Sequence, residues 1–131
     1  NGNTNHARNG VKTAKGILSS MKIDDKEIED VTHCVEAHEG DITPRTREAM
    51  IVHDADVLDK IGPLGIIRHT WKLALQGFNT EKICRTLEKH LEKRKKNLYT
   101  ETAKKIADKF DNRNFFNLLD KQLKVRYIIN K

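Results

Sequence analysis

Apolar residues recur along this chain at intervals of three and four, and no stretch alternates with the period of two that a half-buried strand needs. That restricts the fold to helices packed on helices. Val11, Ala14, Ile17, Leu18 and Met21 make one stripe between about His6 and Met21. Asp24 or Asp25 is placed to cap a second helix, from about Lys26 to Glu39, with Ile28, Val31, Cys34 and Val35 on one face. In "EGDITPRT", Thr43 is the expected N-cap and Pro44 the first position of a third helix, which runs to about Ile61 and stops at Gly62. Pro63 starts a fourth, carrying Ile66, Ile67, Trp71 and Leu75 as far as Gly77. Asn79 or Thr80 caps a long charged helix through about Asn97, whose seam is Ile83, Leu87 and Leu91. Thr100 or Thr102 opens another, with Ala103, Ile106, Ala107 and Phe110, and "FFNLLDKQLKVRYIIN" reads as a last helix ending in an extended piece. The expectation is an all-α bundle of about six to seven helices, forming one domain over residues 1–131.

Composition narrows the class. Charged residues make up 34% and hydrophobic ones 37%, a globular balance and not that of a disordered chain. No apolar run approaches the ~20 residues that span a bilayer, so no membrane partner is expected. Cys34 and Cys84 are far apart, form no CxxC pair and sit at apolar helical positions, which reads as buried free thiols in a reducing, cytoplasmic setting. The net charge of +6 favours anionic partners such as phosphate esters or nucleic acid. The basic run "EKHLEKRKKN", residues 88–97, argues only weakly for nucleic acid, because Glu88 and Glu92 interleave with its lysines at ion-pair spacing. The opening "NGNTNHARNG" has no initial Met, and a fragment or a processed chain is expected. There is no Gly-rich phosphate loop and no Gly-x-Ser-x-Gly elbow.

The polar groups on the third helix raise the functional question. "REAMIVHDADVLDKIG" is apolar nearly all round, which predicts a central helix, yet it carries Asp54, Asp56 and Asp59. At about 100° per residue, Asp56 shares a face with Val52 and Ala49, with Asp59 beside them and Asp54 on the opposite side near Leu58 and Ile61. Burying an ionised carboxylate costs several kcal/mol unless it is paired or metal-bound, and a buried Asp often merely caps a helix or pairs with an Arg. Lys60, four residues after Asp56, is the only nearby cation on that helix face. On the second helix His38 prolongs the stripe of Ile28, Val31 and Val35, whereas His33 lies off it and is expected to be solvated. A histidine in such a place is more often a satisfied core residue than a ligand. His6 sits on the shoulder of the first stripe, one turn before Gly10, where something can approach the backbone closely. His53, His69 and His90 read as surface or half-buried residues. Asp56, His38 and His6 together are compatible with an oxygen-and-nitrogen metal site.

The strings themselves carry more. "NHARNGVKTAKGIL", "IEDVTHCVEAHEG", "TPRTREAMIVHDADVLDKIGPLGIIR" and "NLYTETAKKIADKF", in this order, resemble the HD superfamily of metal-dependent phosphohydrolases, above all its small stand-alone bacterial and archaeal members. The resemblance covers about residues 5 to 111, and "DADVLDKIGPLGIIR" is its specific part. It implies an all-α bundle whose metal is held by a His, a His-Asp doublet and a later Asp, and the later Asp matches Asp56. It further implies histidines from the two preceding helices, matching His6 and His38, with Asp54 and Asp59 structural and Arg68 a phosphate contact. The family's first His and its doublet precede the matched segment, so the N-terminal part of the domain is expected to be missing from this sequence; His53-Asp54 is in the wrong helix to replace them.

What the resemblance implies is hydrolysis of a phosphomonoester, nucleotide or pyrophosphate by water activated on a divalent Mn, Mg, Fe, Co or Ni ion. Asp56, His38 and His6 would be metal ligands, and Lys60 and Arg68 would offset developing charge beside Asp56. The substrate would be small, phosphorylated and nucleotide-like. The alternative is a degenerate, non-catalytic module of the same fold with a binding or regulatory role.

Overall fold

Four of the helices begin where a side chain takes up a free amide. In the computed structural model, which describes residues 3–110, 112, 116–118 and 121–122, six helices follow in order: α1 (Asn3–Ser20), α2 (Asp25–Ala37), α3 (Arg47–Ile61), α4 (Pro63–Leu75), α5 (Thr80–Lys96) and α6 (Glu101–Asp108). No strand occurs among the described residues, and the chain is all-α. Asp24 accepts from the Lys26 amide at 2.7 Å to cap α2, Asn79 from Lys82 at 2.9 Å to cap α5, and Thr100 from Ala103 at 3.2 Å to cap α6. Gly62 precedes Pro63 at the first position of α4, as the sequence led us to expect.

The start of α3 differs. Thr46, not Thr43, caps it, accepting from the Ala49 amide at 3.1 Å. Pro44 is buried in the preceding loop and starts no helix. A competing bond accounts for this, since the Arg45 amide is committed to the His33 ring at 2.9 Å and residues 43–45 stay outside the helix.

The chain divides into two compact units between Asp56 and Val57, inside α3. In the first, α1 packs along α2, with Gly10 so close to Val35 that an added Cβ would lie 3.1 Å from Val35 Cγ1. Ile28, Ala37 and Ala49 are its buried apolar residues. Ile17, Met21 and Val31, expected inside, are exposed. So are Ile51, Val52 and Ala55, so α3 is not enclosed on all sides.

The second unit holds the larger core: Val57, Ile61, Leu73, Ile83, Leu87, Leu91, Leu98, Ala103, Ala107 and Phe116, with Leu58, Ile66, Phe78 and Phe110 packed against it. The α5 seam is the expected one. α4 is turned from expectation, for Ile67, Trp71 and Leu75 point to solvent while Gly65 and Leu73 are buried. Gly65 sets that rotation. A Cβ there would collide with the carbonyl oxygens of Asp59 and Lys60, so only glycine lets α4 lie against the end of α3. Most of the expected C-terminal helix lies outside the described residues. No described helix is long and apolar enough to cross a membrane.

Candidate functional site

The packing of α1 on α2 brings together two of the residues expected to bind metal. His6 is exposed on α1, one turn before Gly10, and His38 follows the end of α2, half-buried. Their ring centroids are 6.4 Å apart with the planes inclined at 52°. His38 Nδ1 lies 2.7 Å from the Val35 carbonyl oxygen. A carbonyl can only accept, so Nδ1 carries a proton and donates it, and in the neutral ring Nε2 is the nitrogen with the lone pair. A backbone carbonyl on one ring nitrogen is the usual device for orienting the other toward a ligand.

Two further histidines in the same unit have structural partners. His33 Nε2 accepts the Arg45 amide, which places the ring proton of neutral His33 on Nδ1. His53 Nδ1 donates to the His38 carbonyl oxygen at 3.0 Å. His53 also fills the space above Gly40, where the chain turns with φ of +87° and an added Cβ would lie 3.2 Å from His53 Cε1. The loop between α2 and α3 is thereby tied to both helices. This corrects two readings, since His33 is 6% exposed and not solvated, and His53 is 3% exposed and not a surface residue. Stripe geometry missed both because their partners are loop backbone groups, which periodicity does not register.

Along α3 the structure ranks the aspartates differently from the face argument. Asp54 is the buried one, at 2% exposure; Asp56 is half-buried and Asp59 exposed. Lys60 is half-buried, and Asp54, Asp56 and Lys60 all have interactions of their own. Arg68 is exposed and ion-paired with the Asp59 carboxylate, which accepts from its guanidinium. Among the described residues no group of three or more His, Cys, Asp or Glu side chains is arranged to hold a metal ion. His6 and His38 are therefore a pair of donors that Asp56 does not complete, whereas a catalytic metal site ordinarily has at least three protein ligands. These residues do not by themselves fit a closed metal centre.

The second unit carries a feature that the spacing gave no reason to expect. His69 on α4 and His90 on α5 stack with centroids 5.1 Å apart and planes within 15°. Burial first, and then Arg94, His90 and Lys72, push the His69 pKa down to about 4. Burial, then Arg94, Lys89 and Lys93, lower that of His90 as well. A shallow cavity of about 480 Å³ opens beside His90, edged by Asn79, Lys82, Arg85, Thr86 and Lys89. Its cations are partly engaged, with Arg85 paired to Glu81 and the Lys82 ammonium 3.8 Å from the centre of the Phe78 ring. Cys34 and Cys84 are free and half-buried, and burial raises both thiol pKa values, which keeps them protonated and poorly nucleophilic.

Compared with protein-family models, with curated proteins and with solved structures, the chain matches none.

Proposed function

We propose that this chain acts in metal-dependent hydrolysis of small phosphoesters, with nucleotide-like monoesters or pyrophosphates as substrates. The observation that carries the reading is His38, whose Nδ1–H is anchored on the Val35 carbonyl so that Nε2 is left as a lone-pair donor next to His6 on the adjoining helix. That is the orientation a metal-binding imidazole requires. The two helices concerned are the ones on which the resemblance calls for histidines. A divalent ion of the Mn, Mg, Fe, Co or Ni group would supply Lewis acidity toward the phosphoryl oxygens. On this reading it is the resemblance that assigns Asp56 as the carboxylate ligand with His6 and His38 assisting, since among the described residues no three such side chains are gathered around one point. The resemblance gives Lys60 and Arg68 the part of supplying positive charge, and in its own unit Arg68 is ion-paired with Asp59. The free thiols Cys34 and Cys84 suit a reducing compartment.

The test is phosphate release by the protein as its gene encodes it, against a panel of monoesters, nucleotides and pyrophosphate in the presence of each metal. Asp56→Ala should abolish release. Full activity in that variant would remove Asp56 from the site.

A second reading, a non-catalytic module, is favoured by one specific observation: His33 and His53 spend their ring nitrogens on loop backbone, as structural histidines do. It predicts no metal-dependent release with any substrate of the panel.

A further inference from the structure

α4 is amphipathic in the reverse sense from its neighbours, with a second apolar stripe directed away from the core. Leu64, Ile67, Trp71 and Leu75 are 70%, 64%, 70% and 75% exposed. At 100° per residue they fall within one narrow strip, diametrically opposite the strip of Gly65, His69 and Leu73 that meets the core. Four large side chains so exposed leave on the order of 500 Å² of contiguous apolar surface, which is the scale of an interaction patch and not of scattered surface hydrophobics.

We propose that this strip is the interface between two copies of the chain, formed by antiparallel packing of α4 on its two-fold mate. Three features select that occupant. Leu64, Ile67, Trp71 and Ala74 follow one another at intervals of three, four and three, the spacing of a heptad seam, so the surface is cut for another helix. With the two-fold axis level with His69, the seam is self-complementary in size. Ile67 then meets Trp71 of the other copy twice at the centre, and Leu64 meets Ala74 twice at the ends, large opposite small, with Leu75 closing each end. The area is of the right order: a stable interface buries about 800 Å² per partner, and the strip supplies more than half of it before the stems of Arg68 and Lys72 are counted. Symmetric pairs of this kind are the commonest association of soluble chains. α4 has no acidic residue, and its cations Arg68 and Lys72 line one edge of the seam. The two-fold brings those edges together; Arg68 is already paired with Asp59, so Lys72 leaves a modest charge repulsion that salt screens and apolar contact holds the dimer.

Trp71 is the only tryptophan, which makes the test direct. Sedimentation equilibrium and tryptophan emission are measured together on the 131-residue chain from about 1 μM to 1 mM. The mass should double with concentration, the emission should move to shorter wavelength in step with it, and added salt should shift both transitions to lower concentration. Ile67→Glu, which keeps the reporter, should weaken association more than about tenfold and leave the emission at that of a solvated indole, with helical content unchanged. Leu75→Glu at the helix end repeats the test at a second site. A chain that stays monomeric throughout overturns the proposal. So does a dimer whose emission remains solvated, or one that both variants leave intact, since each places the interface elsewhere.

Discussion

The Arg45 amide donates to His33 Nε2 at 2.9 Å, and this one bond between α2 and a residue twelve positions later decides where α3 begins. With that amide held by the imidazole, Pro44 stays in the loop and Thr46 becomes the cap. His33→Phe keeps the ring volume but strands a partly buried N–H, which should cost about 1–3 kcal/mol. Amide exchange at Arg45 should accelerate sharply in the variant while exchange in α5 is unaffected. Unchanged protection at Arg45 would show that something else holds the loop.

Gly65 should tolerate no side chain. Gly65→Ala places a methyl group against the carbonyl oxygens of Asp59 and Lys60, and backbone cannot swing aside as a side chain can. Denaturant titration should show a loss of about 1–3 kcal/mol, the usual cost of overpacking. Gly16→Ala is the control, because nothing lies within 4 Å of the added carbon. In the interior of α1 that change should be neutral or stabilising by the helix propensity difference.

Among the described residues Ile61 is the largest fully buried side chain, and Ile106 is exposed to 37%. Ile61→Ala should cost about 2–5 kcal/mol, a large share of the total stability of a typical domain. Ile106→Ala should cost distinctly less. Similar losses at both positions, read from chemical denaturation, would mean that the core of the second unit is not centred where Ile61 lies.

The stacked pair His69 and His90 should make stability fall on the acid side. The His69 pKa is lowered to about 4 in the fold against an ordinary 6.5, so the unfolded chain binds more protons between those values. The stabilisation from keeping the ring neutral is therefore complete above about pH 6.5 and is lost as pH falls toward 4. His90, lowered by burial and by Arg94, Lys89 and Lys93, acts in the same direction. His69→Phe should flatten that part of the stability profile, which urea titrations at stepped pH would reveal.

How far the sequence could be read depended on whether a helix has one polar face. In α5 the polar residues leave a single seam, and Ile83, Leu87 and Leu91 are buried as their spacing requires. Capping is local chemistry, and Asp24, Asn79 and Thr100 are each one of the two nearby candidates the sequence offers, whereas for α3 the cap is Thr46 and not Thr43. α3 and α4 have apolar residues on several sides, so spacing does not fix their rotation. Close approach of Gly65 to backbone turned Trp71 outward, and Asp54 is buried where the stripe argument favoured Asp56. Of the candidate site, spacing puts His38 on one apolar stripe and His6 at the shoulder of another, while their meeting depends on how α1 packs on α2, which spacing does not give. The roles of His33 and His53 depend on loop carbonyls and amides, which no side-chain pattern encodes.

Chelation followed by metal return tests the functional account most directly. The protein as encoded by its gene is stripped of metal, assayed for phosphate release from nucleotides, monoesters and pyrophosphate, and assayed again after adding Mn or a related ion. The account predicts that release stops on stripping, returns with the ion, and does not return in Asp56→Ala. Release that survives chelation, or no release from any of these substrates with any of the metals, would contradict it.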